Sequence, residues 1–106
     1  MLFELRQYRV RLGRREEWVR FMEEVIIPFQ VAKGMNIVGS FVAEDDPDLY
    51  VWIRRFEDES ERQRLYDAVY DSEHWKTAIA PRTAELLGDE AMVVTRLIPT
   101  ARSGMR

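Results

Sequence analysis

"MNIVGSFVAEDDPDLYVWIRRF", Met35–Phe56, reads as a β-hairpin. Two stretches rich in β-branched and aromatic residues, 35–44 and 49–56, flank Asp45-Asp46-Pro47-Asp48. Such flanks suit strands. Pro47 presets φ and aspartates favour turn positions, so the acidic stretch between them is a turn. In the second strand the pleat sets Leu49, Val51 and Ile53 against one face and Tyr50 and Trp52 against the other. Arg54 falls on the Trp52 face.

Working outward, residues 14–34 carry Trp18, Phe21, Met22, Val25, Ile26 and Phe29 at steps of three and four, one apolar stripe of a helix. Gly34 suits its C-terminal cap. Pro28 lies inside the pattern and predicts a kink or break near Glu24–Ile27. Ahead of this helix, "LFELRQYRV" (Leu2–Val10) reads as a strand with Phe3, Leu5 and Gln7 on one face and Glu4, Arg6 and Tyr8 on the other. Gly13 ends it.

Beyond the hairpin, residues 58–72 form a second helix, with Asp58 and Glu61 spaced as a capping box. Ser72 opens a further helical piece, 72–88, interrupted near Pro81 and closed by Gly88. "EAMVVTRLI", 90–98, is a fourth strand. These boundaries give one domain over 1–98 and a flexible, polar C-terminal tail over 99–106.

The order β-α-β-β-α-β predicts an α+β, ferredoxin-like fold with a four-stranded antiparallel sheet, strands one and three side by side in its middle. Its helices cover one sheet face. The strands are apolar on both, and an uncovered apolar face calls for cover. The expectation is a twofold homodimer whose sheets pack into a dimeric α/β barrel.

Composition narrows the function classes. A net charge of −3 over 106 residues argues against a nucleic-acid partner and a polybasic membrane anchor. With no cysteine, disulfides, thiolate metal sites and cysteine nucleophiles are excluded. Charges at Glu4, Arg6, Arg9 and Arg11 leave no signal-peptide core, and no apolar run approaches the ~20 residues of a membrane span. A cytoplasmic protein is expected. One histidine and no calcium-loop spacing predict no metal site, and no phosphate loop, dinucleotide fingerprint or nucleophile elbow is present. No cofactor is expected.

"FELRQYRVRLGRREEW", "PFQVAKGMNIVGSF", "DPDLYVWIRRFEDESERQR" and "YDSEHWK", in this order over about residues 2–98, resemble the NIPSNAP family. The resemblance is carried by Glu4-x-Arg6-x-Tyr8, Gly13, Pro28, Gly34, Gly39, Trp52, Arg62 and Trp75. It implies a dimeric α+β barrel and no particular reaction. Families sharing that barrel include cofactor-free oxygenases, haem degraders and small isomerases, a likeness of fold alone.

Two sets of residues are candidates for a site. Glu4, Arg6 and Tyr8 face the same way on strand one, as do Trp52 and Arg54 on strand three, so the sets meet if the strands align. Charges carried inward must be paired or hydrated. They either line a ligand pocket, with Arg54 or Arg6 holding a carboxylate or enolate oxygen, or form an ion pair that fixes the dimer register. The aromatics Trp18, Tyr70 and Trp75, with Phe21, Phe29 and Tyr66, either line a cavity for a flat ligand or build the core.

His74 is the one candidate base near neutral pH, in a helix start where Trp75 reads as the anchor. Arg62 and Arg64 read as a solvated face. Three functions follow: a small-molecule-binding homodimer; a cofactor-independent oxygenase or isomerase for a small aromatic or oxo-acid substrate, using Arg54 or Arg6, Tyr8 or Tyr70 and His74; and a haem binder through His74. Parity assigns faces within a strand but not the alignment between strands, so the face carrying a pocket stays open.

Overall fold

The computed structural model describes the backbone of all 106 residues and the side chains of residues 1–88 and 91–106. Four strands, β1 (Leu2–Val10), β2 (Asn36–Val42), β3 (Leu49–Phe56) and β4 (Leu87–Leu97), form one sheet in the order β2-β3-β1-β4. All three pairings are antiparallel. This is the expected ferredoxin-like α+β arrangement, with β1 and β3 central.

Helices α1 (Arg15–Phe21), α2 (Ile27–Ala32), α3 (Glu59–Tyr70) and α4 (Ala80–Leu86) complete the fold. Near Glu24–Ile27, where the sequence predicts a kink or break, the helix is interrupted but does not end. A widened helical turn, Met22–Ile26, joins α1 to α2, and the Ile27 N–H reaches back to the Met22 carbonyl. A second widened turn, Trp75–Ile79, precedes α4, where Ala80 donates to Trp75. Pro28 and Pro81 each follow such a turn, where the i→i+4 ladder is already interrupted, so the missing proline donor disrupts little.

The ends of the helices follow from local chemistry. Gly34, at φ 108°, closes α2 as expected: its N–H bonds the Val31 carbonyl at 3.0 Å while Met35 bonds Gln30 at 3.0 Å, the paired closure that needs a residue with positive φ. Asp58 caps α3 by accepting from the Glu61 N–H at 2.8 Å, and the Glu61 carboxylate reaches back to the Glu57 N–H at 3.2 Å. Ser72 accepts from the Trp75 N–H at 3.2 Å. Gly88 does not close a helix. The chain turns extended at Leu87 (φ −106°, ψ 151°), Leu87 pairs with Val10, and Gly88 falls inside a strand that starts three residues before the expected one.

The helices pack on the sheet face that carries Glu4, Arg6, Tyr8, Tyr50, Trp52 and Arg54. Trp18 is wholly buried there, edge-on to Tyr8 at 5.8 Å and to Tyr50 at 6.2 Å. A second apolar patch, Leu2, Met35, Phe56, Leu65 and Val69, seats α3. On the opposite face Leu5, Val51 and Ile53 are half-buried and Phe41, Val93 and Leu97 are exposed. In residues 99–106 Ser103 bonds back to Thr100 at 3.0 Å, and Met105 shares a groove with Phe3, Ile53 and Leu97 on this open face. Among the described residues no helix is long and apolar enough to cross a membrane.

Candidate functional site

The register answers the question that strand parity leaves open. Glu4 lies opposite Arg54, Arg6 opposite Trp52 and Tyr8 opposite Tyr50, so both polar sets meet beneath the helices. Glu4 and Arg54 are fully buried. Arg54 Nη2 donates to Glu4 Oε1 at 2.8 Å, and Arg62 Nε, arriving from α3, donates to Oε2 at 2.8 Å. The Tyr66 hydroxyl donates to Glu4 at 2.6 Å and accepts from Arg54 Nη2 at 2.8 Å. Arg54 Nη1 donates to Gln30 Oε1 at 2.9 Å and to the Tyr70 hydroxyl at 2.8 Å.

Burial by itself would raise the Glu4 pKa. The Tyr66 hydrogen bond and the charges of Arg54 and Arg62 outweigh it and hold the carboxyl below its usual range. Tyr66 is pushed up to about 12: burial raises it, the charge of Arg54 opposes the rise, and its bond to Glu4 adds to it.

Above this network lies a cavity of about 190 Å³. Its floor is Arg6, Tyr8 and Trp52 from the central strands, and Met92 of β4 forms one edge. Trp18 with Met22 and Ile26 of the first widened turn, Tyr70, Trp75 and Thr83 of α4 enclose it. A shallower hollow between α4 and β4 shares Trp75, Thr83 and Met92 and gives onto the surface. A larger hollow of about 580 Å³ beside Leu12, Val19 and Pro47 is mostly open to solvent.

The small cavity differs in its unmet hydrogen-bonding capacity. Trp18 Nε1, Trp52 Nε1 and Thr83 Oγ1 are buried without a hydrogen-bond partner; Trp52 Nε1 lies beside the Tyr8 hydroxyl but outside good geometry. The Tyr8 hydroxyl accepts from Arg6 Nε at 2.7 Å, which leaves its own proton to give. Burial raises the Tyr8 pKa and the Arg6 charge only partly offsets this, so the hydroxyl stays protonated as a donor. An orphaned buried donor costs about 1–3 kcal/mol, a cost that a ligand with acceptor atoms removes.

Of the residues singled out from the sequence, Arg6, Tyr8, Trp18, Trp52, Tyr70 and Trp75 line this cavity. Glu4 and Arg54 lie beneath it, spent on one another, so Arg54 is not free to hold a substrate oxygen. His74 corrects the expectation of a pocket base: it is exposed, its ring 5.1 Å from Phe29 and outside the cavity lining. It follows Ser72 in the helix start, with only its neighbour Trp75 turned inward, edge-on to Tyr70 at 4.7 Å.

Arg62 corrects the reading of a solvated face, since Glu4 draws it inward. Gln30, Thr83 and Met92 carried no signal in the sequence. Gln30 sits between apolar neighbours on a helix, and only packing shows that its amide meets Arg54. Among the described residues no group of three or more carboxylate or imidazole side chains is placed to hold a metal.

A ferredoxin-like α+β fold with a donor-lined aromatic cavity beneath its helices defines the structural class. The chain belongs to the NIPSNAP family, whose model matches residues 3–103. It is similar to a NIPSNAP family protein of Agrobacterium tumefaciens at 26% identity and TM-score 0.87, covering 99% of this chain and 98% of that one. A NIPSNAP domain protein of Burkholderia xenovorans gives 21% identity and TM-score 0.86 over 97% and 98% of the two chains. An antibiotic biosynthesis monooxygenase shares the fold at 16% identity and TM-score 0.63, over 93% of this chain and 100% of that one. No curated protein matches the sequence.

Proposed function

We propose that this NIPSNAP protein binds a compact small molecule in the cavity between sheet and helices, and does so as a twofold homodimer. The observation that carries the binding reading is that two residues of the lining, Trp18 and Thr83, carry buried polar atoms without a partner, Nε1 and Oγ1. Proteins leave few such groups unsatisfied, and a cluster of them around a cavity points to a missing partner. At ~30 Å³ per water the space of about 190 Å³ holds about six waters, below the 300–1,000 Å³ typical of drug-sized sites. The ligand is therefore small. The lining supplies hydrogen-bond donors and aromatic walls, with no carboxylate or imidazole among its described residues, which favours holding a ligand over removing a proton from one.

The dimer rests on the open sheet face. Leu5, Val51 and Ile53 at its centre, with Phe41, Val93 and Leu97 around them, form an apolar surface that a second copy would bury. Native mass spectrometry of protein purified without denaturant tests both parts. A dimer with retained small-molecule mass is the expected result. A monomer at micromolar concentration refutes the assembly. Protein without added mass, and without a thermal shift from any of a panel of small neutral and anionic aromatics, refutes the pocket.

A further inference from the structure

The guanidinium groups around the network are not equally matched. Among the described residues Glu4 is the one carboxylate buried among them. Its two oxygens are taken by Arg54 at 2.8 Å, Arg62 at 2.8 Å and Tyr66. Arg62 has a second acid, Glu59, at 3.2 Å. Arg6 is left over. Among the described residues its nearest carboxylate oxygen, on Glu4, is 3.8 Å away, beyond hydrogen-bond distance. Its hydrogen bonds go to neutral atoms: the Tyr8 hydroxyl at 2.7 Å, the Tyr66 hydroxyl at 3.2 Å and, weakly, the Met92 sulfur at 3.9 Å. Yet its side chain is only 11% exposed, and it forms part of the cavity floor.

We propose that the cavity selects a planar carboxylate, an arene carboxylate or a small unsaturated 2-oxo acid, whose anionic oxygens pair with Arg6. This rests on the pocket reading above and adds the sign of the ligand's charge. Three features agree on it. Among the described residues no carboxylate is within hydrogen-bond distance of Arg6, whose one ion-pair contact is the shared Glu4 at 3.8 Å, and a bound anion can supply a closer one. Of the polar groups whose capacity is unspent, Tyr8 O–H and the indole N–H of Trp18 and Trp52 are donors and the Thr83 hydroxyl can donate or accept, so a carboxylate can use all four and a second cation only the last. The walls are the rings of Trp18, Trp52 and Trp75 with the sulfurs of Met22 and Met92, surfaces that favour a flat π-system over a bulky aliphatic one.

The Arg6 guanidinium lies 5.8 Å from the Trp52 ring centroid, so a flat anion can pair with the cation and stack on the aromatic floor at once. Arg54 cannot take the role, because Glu4, Tyr66, Gln30 and Tyr70 already occupy both of its terminal nitrogens.

The test compares benzoate with its neutral isostere benzamide by isothermal titration calorimetry, on the native protein and on Arg6→Met and Thr83→Phe. Phenylpyruvate serves as a second anionic probe. A charge-assisted contact predicts that benzoate binds about tenfold or more tightly than benzamide. The preference should vanish in Arg6→Met. Thr83→Phe, which puts a ring into the cavity and leaves the Arg6 side chain in place, should abolish benzoate binding.

Equal affinity for benzoate and benzamide would overturn the charge assignment and leave the pocket standing. Benzoate preference that survives Arg6→Met, or benzoate binding that survives Thr83→Phe, would place the anion elsewhere and overturn it too. Absence of binding by all three probes to the native protein would count against the pocket itself. The comparison on the native protein decides the charge preference even if a variant does not fold.

Discussion

Replacing Glu4 with glutamine tests the buried network directly. The change keeps the side-chain volume, removes the negative charge and presents an amide N–H₂ to groups that are themselves donors. Arg54, with no exposed surface, then loses its counterion. Breaking a buried ion pair from one side costs about 3–5 kcal/mol, a large share of the ~5–15 kcal/mol that holds a domain of this size folded. At about 4 °C or more per kcal/mol, the melting temperature should fall by at least ~12 °C.

Arg62→Leu is the internal comparison. Its side chain is 20% exposed, and Glu4 keeps Arg54 and Tyr66, so its cost should be nearer ~1 kcal/mol. The pH dependence carries a second signature. Glu4 has its pKa lowered from 4.5 in the folded protein. Its contribution to stability is therefore complete above that value and is lost as pH falls below it, through the folded pKa. Glu4→Gln should lack this part of the acid limb. Urea melts of the three proteins from pH 3 to pH 7 supply the measurement. A Glu4→Gln loss no greater than that of Arg62→Leu, or an unchanged acid limb, would refute the claim that this carboxylate organises the site.

Thr83→Val should leave the ligand-free protein as stable as before or more stable by up to about 1 kcal/mol, because the hydroxyl it removes is buried without a partner; a clear loss in a thermal melt would show that the hydroxyl is already satisfied. Gly34→Ala should cost about 1–2 kcal/mol by denaturant titration, since the position holds φ 108° and a new Cβ would stand 3.1 Å from Leu65 Cδ2. Val51→Lys, at the centre of the open sheet face beside Phe41 and Gln7, should convert the proposed dimer to monomer in sedimentation velocity without lowering helix content; an unchanged sedimentation coefficient would mean that this face is not the interface.

Strand alternation and helix periodicity are local properties of the chain, which is why element order, the hairpin at Pro47, the Gly34 cap and the face shared by Glu4, Arg6 and Tyr8 could be read from residues alone. Six of the eight candidate ligand contacts lie on the cavity: strand parity points Arg6, Tyr8 and Trp52 there and the apolar helical stripe points Trp18 there, while Tyr70 and Trp75 arrive from the end of α3 and the turn after it. The opposition of Glu4 and Arg54 is different in kind. It depends on a strand alignment that a slip of one residue would reverse, and β2 and β4 each carry an irregularity in register that no composition rule predicts.

Long-range packing also separated groups that look alike along the chain. It drew Arg62 off a charged helix face because a buried carboxylate lay within reach, and left His74 outside while Trp75, the next residue, turned inward. It distinguished Arg54, hydrogen-bonded to Glu4, from Arg6, which among the described residues has a carboxylate no nearer than Glu4 at 3.8 Å. A sequence records which side chains carry charge. Which charge is left uncompensated depends on distances of a few ångströms between residues as far apart as 4, 54 and 62, and only the folded chain sets those distances.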